Sequence, residues 1–216
     1  MKKIENFSVV IRVGNNEPYV GFSIQSVMDK FEDPEIIVVN NNTDNETYDI
    51  LTDFPFTDIK IVDIDKYTPG KALNLGVKAT TRPYVLFLSA HCKITKFPKK
   101  EQLDMWFTKY NAVFGKQIPI YRGKKITPRY LWKNFDEGPM ENMWSEGEDR
   151  YFLHFAFCAF RREVILNNPI REDLKGKEDR YYAKDIVDKG KKYLYTPELE
   201  CEHYFTGKGS TWIKND

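Results

Sequence analysis

Glu178 and Asp179 open the run Gly176-Lys177-Glu178-Asp179-Arg180-Tyr181-Tyr182, which reads as the first turn of a helix after a glycine. A carboxylate in that position is favoured by the positive end of the helix dipole and is held rigidly, as a general base must be. The same residues also make an ordinary acidic helix start, and the local sequence leaves both readings open. A second candidate is Leu86-Phe87-Leu88-Ser89-Ala90-His91-Cys92, an apolar strand that breaks off into hydroxyl, imidazole and thiol. His91 is one of three histidines; His203 lies in Cys201-Glu202-His203-Tyr204-Phe205, and His154 begins another strand. A lone histidine is more often structural than a ligand. His91 and His203 would form a metal pair only if the fold brings them together.

Two further segments could hold a nucleotide. Val38-Val39-Asn40-Asn41-Asn42-Thr43-Asp44 ends a strand in small polar groups that suit a nucleobase edge. They equally suit an Asx-rich turn with Asp44 or Thr43 capping the next helix. In Thr68-Pro69-Gly70-Lys71-Ala72-Leu73-Asn74-Leu75-Gly76, a lysine sits in a first helical turn, where the dipole disfavours it. A diphosphate would compensate for that charge, and so would plain exposure to solvent. Neither of the common glycine-rich phosphate loops is present.

These residues need a scaffold, and the first half of the chain supplies one. Phe7–Val13, Glu35–Asn40, Asp58–Ile64 and Tyr84–Ser89 are short runs rich in Val, Ile and Phe, the pattern of buried parallel strands. Between them lie helical faces: Val20, Ile24, Val27 and Met28 after Pro18, and Ala72, Leu73, Gly76 and Val77 after Thr68-Pro69. Such alternation predicts an α/β, doubly wound, mostly parallel sheet, with ligands outside the carboxyl ends of its strands. The second half is less regular. A helix at about 99–110 and a strand at Ala112–Gln117 precede an irregular stretch, Pro119–Asp149, of the kind that forms lids and binding loops. A strand at Phe155–Phe160, a short helix from Arg162, a helix over Lys177–Lys189 closed by Gly190, and a strand-like Tyr193–Thr196 complete the reading.

The 216 residues fit one domain. With 33 Lys+Arg against 32 Asp+Glu, no overall field recruits nucleic acid or an anionic membrane. Cys92, Cys158 and Cys201 form no disulfide framework, so a reducing cytoplasm is the expected location. No apolar stretch reaches the roughly 20 residues of a membrane span, which leaves at most peripheral membrane contact.

In their order, these pieces resemble a family 2 glycosyltransferase of the GT-A fold, from about Phe7 to Trp212. VVNNNTDN stands where that family has V-V-D-x-x-S-x-D, LFLSAHC where it has its D-x-D metal motif, and GKEDRYYAKDIVDKG resembles its E-D helix. TPGKALNLG, LSAHC and GKQIP are similar to rhamnosyltransferase-like members. Ser89-Ala90-His91 also resembles the D-x-H of polypeptide N-acetylgalactosaminyltransferases, and His203 their distant second histidine. In two departures, Ser89 replaces a carboxylate and Asn40 replaces an aspartate.

The resemblance implies a nucleotide diphosphate sugar bound near Arg12, Asn40, Asp44, Lys71, Asn74 and Ser89. It implies Mn²⁺ or Mg²⁺ on His91 and His203, and Asp179 as the base, with Glu178 beside it, for an inverting transfer to a carbohydrate or other hydroxyl acceptor. By the same resemblance Arg161, in HFAFCAFRRE, lies near donor and acceptor. The segment Tyr204–Trp212 reads as a lid, with Lys208 at a phosphate and Trp212 as an apolar cover, or as a frayed end. About 1–98 would form the nucleotide half of the domain and about 99–203 the acceptor half. Two rivals remain: a sugar nucleotidylyltransferase, which should carry a signature loop that Val13-Gly14-Asn15-Asn16 does not supply, and a binding domain that has lost catalysis.

Overall fold

Along β1 (Phe7–Val13) the side chains alternate, Val9, Ile11 and Val13 entering one apolar cluster and Val10 the other. A strand buried on both faces requires helices above and below it, and that is the arrangement in this computed structural model. The structure describes residues 3–15, 17–54, 58–125, 134–135 and 138–207. On one side α1 (Val20–Lys30), α2 (Asn45–Thr52) and α4 (Lys100–Phe107) bury Val20, Ile24, Val27, Leu51, Leu103 and Phe107. On the other, α3 (Pro69–Ala79), α5 (Arg162–Asn167) and α6 (Glu178–Asp188) bury Leu73, Val77, Ile165, Tyr182 and Ile186.

The remaining strands are β2 (Glu35–Asn40), β3 (Ile59–Asp63), β4 (Tyr84–Ser89), β5 (Cys92–Lys96), β6 (Ala112–Tyr121), β7 (Lys124–Lys125), β8 (Met140–Glu141), β9 (Trp144–Ser145), β10 (Arg150–Tyr151), β11 (Phe157–Arg161) and β12 (Tyr193–Tyr204). The main sheet is ordered β3-β2-β1-β4-β11-β6-β12-β5, while β9 and β10 form a separate hairpin. β3, β2, β1 and β4 pair in parallel, as the alternating pattern predicts. β11 is antiparallel to both β4 and β6, and β12 returns parallel to β6. The carboxyl ends of β1, β2, β3, β4, β6 and β12 therefore share one pole with the amino end of β11.

Two strands are longer or newer than the sequence suggests. β12 continues to Tyr204 through an irregularity between Thr196 and Glu200, then pairs with β6 on one side and β5 on the other. Gly115 makes room for it: a Cβ there would stand 2.6 Å from the Leu199 Cβ. β5 was not expected from the sequence. Within Pro119–Asp149, the described residues add the end of β6, the short strands β7 and β8, and most of the β9–β10 hairpin.

Candidate active site

The pairing of β5 with β12 solves the histidine question. His203 stands opposite Cys92, the residue that follows His91, and Tyr204 N–H donates to the His91 carbonyl at 2.8 Å. The two imidazole centroids consequently lie 4.8 Å apart. Each ring is oriented through Nδ1. His91 Nδ1 faces Glu17 Oε2 at 3.4 Å, and His203 Nδ1 meets Gln117 Oε1 at 2.7 Å. An acceptor oxygen at Nδ1 places the proton there and leaves the lone pair on Nε2, which is how metal-binding histidines are commonly oriented. Burial, then the neighbouring His91 and His154, hold His203 well below the ordinary histidine range, so its ring stays neutral. The residues therefore fit a divalent ion. Among the described residues no group of three or more His, Cys, Asp or Glu side chains is placed to hold one.

At the same pole α6 begins, preceded by Lys177 in the left-handed conformation (φ 63°). Glu178 is buried and forms an ion pair with Arg12 at 2.9 Å, which ties the end of β1 to the start of α6. Arg12 also reaches the Pro69 carbonyl at 3.5 Å, so α3 starts beside them. Asp179 accepts the Arg180 N–H at 2.8 Å. Desolvation raises its carboxyl above the usual range, and Arg150, Arg180 and Arg12 act in the opposite direction. Arg150 and Arg180 both bind Glu148, Arg180 at 3.2 Å. The β9–β10 hairpin thus carries charged groups up to α6.

The third histidine joins the cluster. His154 lies three residues before β11, and the reversal of that strand brings it to the site pole, its ring centroid 6.5 Å from that of His203. Its Nδ1 accepts the Ala156 N–H at 3.2 Å, which puts the ring proton on Nε2. Burial and then the charge of Arg150 push its pKa down to about 3.

The other expected residues divide. Asn40 donates to Asp63 at 2.7 Å and accepts the Thr43 N–H at 3.0 Å, and Asp44 caps α2 by accepting the Thr47 N–H at 2.9 Å. Both lie at the carboxyl end of β2, engaged in the Asx turn and helix cap that the sequence also allowed. Lys71 is in the first turn of α3, capped by Thr68. Ser89 ends β4 beside Arg12. Asn74 is buried and holds residues 170–172: its amide donates to the Ile170 carbonyl and Glu172 at 2.8 Å each, and its oxygen accepts the Ile170 N–H. Both amide hydrogens are spent, so its placement is that of a staple.

Arg161 is a correction. It pairs with Tyr84, the first residue of β4, whereas Ser89 is the last. At about 3.3 Å per residue, Arg161 stands some 17 Å along the sheet from the site pole. The head of HFAFCAFRRE reaches the site and its tail does not, because β11 runs backwards. Lys208 and Trp212 lie outside the described residues, as does most of the expected lid.

Glu17, Gln117, Glu148, Arg150, Arg180 and His154 were not singled out for the site from the sequence. Gln117 lies within the GKQIP run already noted, and Arg180 directly follows Asp179. Glu17, Glu148 and Arg150 carry no local signal, since a charged residue near a turn is ordinarily solvated.

A family model, Glycosyl transferase family 2, matches residues 8–167. The minor teichoic acid biosynthesis protein GgaA of Bacillus subtilis (strain 168) is 22% identical over 198 residues, covering 87% of this chain and 44% of that protein. The chain therefore spans less than half the length of this curated relative. Among solved structures, S. aureus TarS 1-349 in complex with UDP-GlcNAc superposes with a TM-score of 0.70 at 18% identity, over 96% of this chain and 62% of that one. GalNAc-T7 with UDP, GalNAc and Mn²⁺ gives 0.69 at 18%, over 94% and 44%. The mannosyltransferase PcManGT of Pyrobaculum calidifontis, in complex with GDP-Man and Mn²⁺, gives 0.67 at 17%, over 94% and 58%. At these identities the likeness is one of fold.

Proposed function

The chain belongs to glycosyl transferase family 2, and on that premise we propose that it moves a sugar from a nucleotide diphosphate sugar to an acceptor hydroxyl, with inversion at the anomeric carbon. One observation carries the reading: the His91–His203 pair and the start of α6, with buried Glu178 and half-buried Asp179, lie at one pole of the sheet, beside Arg12 and the start of α3. UDP-GlcNAc, or GDP-Man with Mn²⁺, occupies complexes of structures with this fold, which supports a donor and a metal of the same classes here.

His91 and His203 would hold Mn²⁺ or Mg²⁺ through Nε2, the donor's phosphates completing its coordination. When bound, such an ion stabilises the negative charge that develops on the leaving diphosphate. Glu17 and Gln117 fix the two imidazole orientations. Lys71, in the first turn of α3, adds positive charge on the same side as the helix dipole, where the diphosphate is expected. Asn40, Asp44 and Ser89 border the expected base and ribose subsite. Asp179 removes the proton from the acceptor hydroxyl as that oxygen attacks the anomeric carbon from the face opposite the leaving group. Its raised pKa makes it a stronger base than an exposed carboxylate. Glu178, locked to Arg12, fixes the start of α6 and hence the position of Asp179.

The test is a screen of nucleotide sugars, with and without Mn²⁺, following nucleotide release and product. A donor that turns over in the parent, fails with excess EDTA, and is bound but not transferred by Asp179→Asn is the expected result. Transfer by Asp179→Asn at the parent rate would remove the base assignment, and full activity in EDTA would remove the metal.

A further inference from the structure

Two guanidiniums whose charge acts on the proposed base, Arg150 and Arg180, do not pair with it. Among the described residues, the ion pairs of Arg150 and Arg180 go to Glu148, one to each carboxylate oxygen, and neither forms one with Asp179. Glu148 is 8% exposed at its side chain and Arg150 17%, so this bridge operates largely out of water. There a charge keeps its partner strongly, and removing one partner leaves the other seeking a new one. Asp179 is a carboxylate that already feels the field of both arginines.

We propose that Glu148 is a positioning residue for the transfer reaction: it holds Arg150 and Arg180 away from Asp179, so that the base stays unpaired and available to the acceptor hydroxyl. The inference rests on the reading of Asp179 as the base. The hairpin loop between β9 and β10 delivers Glu148 for this purpose, and the backbone carbonyl of Tyr151 anchors Arg150 from the other side at 2.9 Å. Asp179 feels Arg12 on β1, Arg150 on the hairpin and Arg180 on α6, and its charge reaches Cys158 on β11; Glu148, Glu178 and His154 stand around those arginines. Arg12 is already committed to Glu178, and His154 is neutral, so Arg150 and Arg180 are the cations that Glu148 restrains. Without Glu148 they would close on Asp179 as an ion pair. A carboxylate so paired is a weaker base and less able to reach the acceptor.

The experiment compares the pH dependence of kcat in the full chain for the parent, Glu148→Gln and Arg150→Met, with Mn²⁺ and a donor found in the screen. Glu148→Gln should move the acid limb of kcat to lower pH by about one unit and lower the plateau about tenfold, with the donor KM unchanged. Arg150→Met removes a cation from beside the base and should move the same limb to higher pH. A residue that merely supported the hairpin would move both limbs in one direction, or neither, and either result overturns the proposal. The double variant Glu148→Gln/Arg180→Met restores the charge balance and should bring the limb back toward the parent; failure to do so also overturns it. This double variant keeps the test available if Glu148→Gln folds poorly. Asp179→Asn, run alongside, separates the two levels. If it still transfers sugar, the base reading falls; if it does not, unshifted limbs in the Glu148 and Arg150 variants count against this inference alone.

Discussion

Lowering the pH from 7 to 5 should remove about 2 kcal/mol of folding stability through His154 alone. In the native state His154 is neutral with a pKa of about 3, held there by burial and by Arg150, while in the unfolded chain it titrates near 6.5. Below 6.5 the unfolded chain takes up a proton that the native state refuses. Stability is therefore fully present above about 6.5 and is lost as the pH falls toward the native value. Each unit across that window costs about 1.4 kcal/mol, and the 1.5 units between 6.5 and 5 give about 2 kcal/mol. That is a large part of the roughly 5–15 kcal/mol of a typical domain. The assay is urea unfolding at both pH values for the parent and His154→Asn, whose side-chain oxygen can still accept the Ala156 N–H but does not titrate. The variant should lose about 2 kcal/mol less than the parent over the interval. Equal losses in the two proteins would refute the account of His154 as a desolvated neutral group.

Gln117→Leu removes the acceptor at His203 Nδ1, and Mn²⁺ affinity measured by calorimetry with nucleoside diphosphate present should fall about 10–100-fold. Gly76→Ala would place a Cβ 2.3 Å from Val10 Cγ1, so the thermal midpoint should drop by the equivalent of about 1–3 kcal/mol despite alanine's better helix propensity. A rise would show that α3 can shift away from β1 at little cost. Asp44→Ala deletes the cap of α2 and should lower stability in urea by about 1 kcal/mol.

The parallel half of the sheet was legible because its strands are local events: β1, β2 and β4 begin and end at the residues that the apolar runs mark. β5 was not, since Cys-Lys-Ile-Thr-Lys has little apolar character and becomes a strand only by pairing with β12. The same pairing extends β12 past Pro197, where a local reading stops. The candidate metal pair and the acidic helix start were visible as residue types, but their convergence was not, because register between β5 and β12 is a tertiary property. Arg161 went astray for a related reason. Its strand was recognised, but strand direction is not encoded in a run of apolar residues, and the antiparallel setting of β11 sends its two ends to opposite poles. His154 was passed over for the complementary reason, at the other end of that strand.

The place of β11 in the sheet also bears on how the chain is made. β4 lies between β1 and β11, and some seventy residues separate the end of β4 from the start of β11. During synthesis, β1 to β4 can zip together as soon as they leave the ribosome, but the free side of β4, Tyr-Val-Leu-Phe-Leu-Ser, then waits with its backbone groups open. At about 5–20 residues per second that wait lasts several seconds. An apolar open edge is a template for wrong partners. A fragment cut at about residue 98, which holds β1 to β5, should for that reason aggregate rather than persist as a small folded unit. Delivery of β11 closes the edge and brings His154 to the site in the same step.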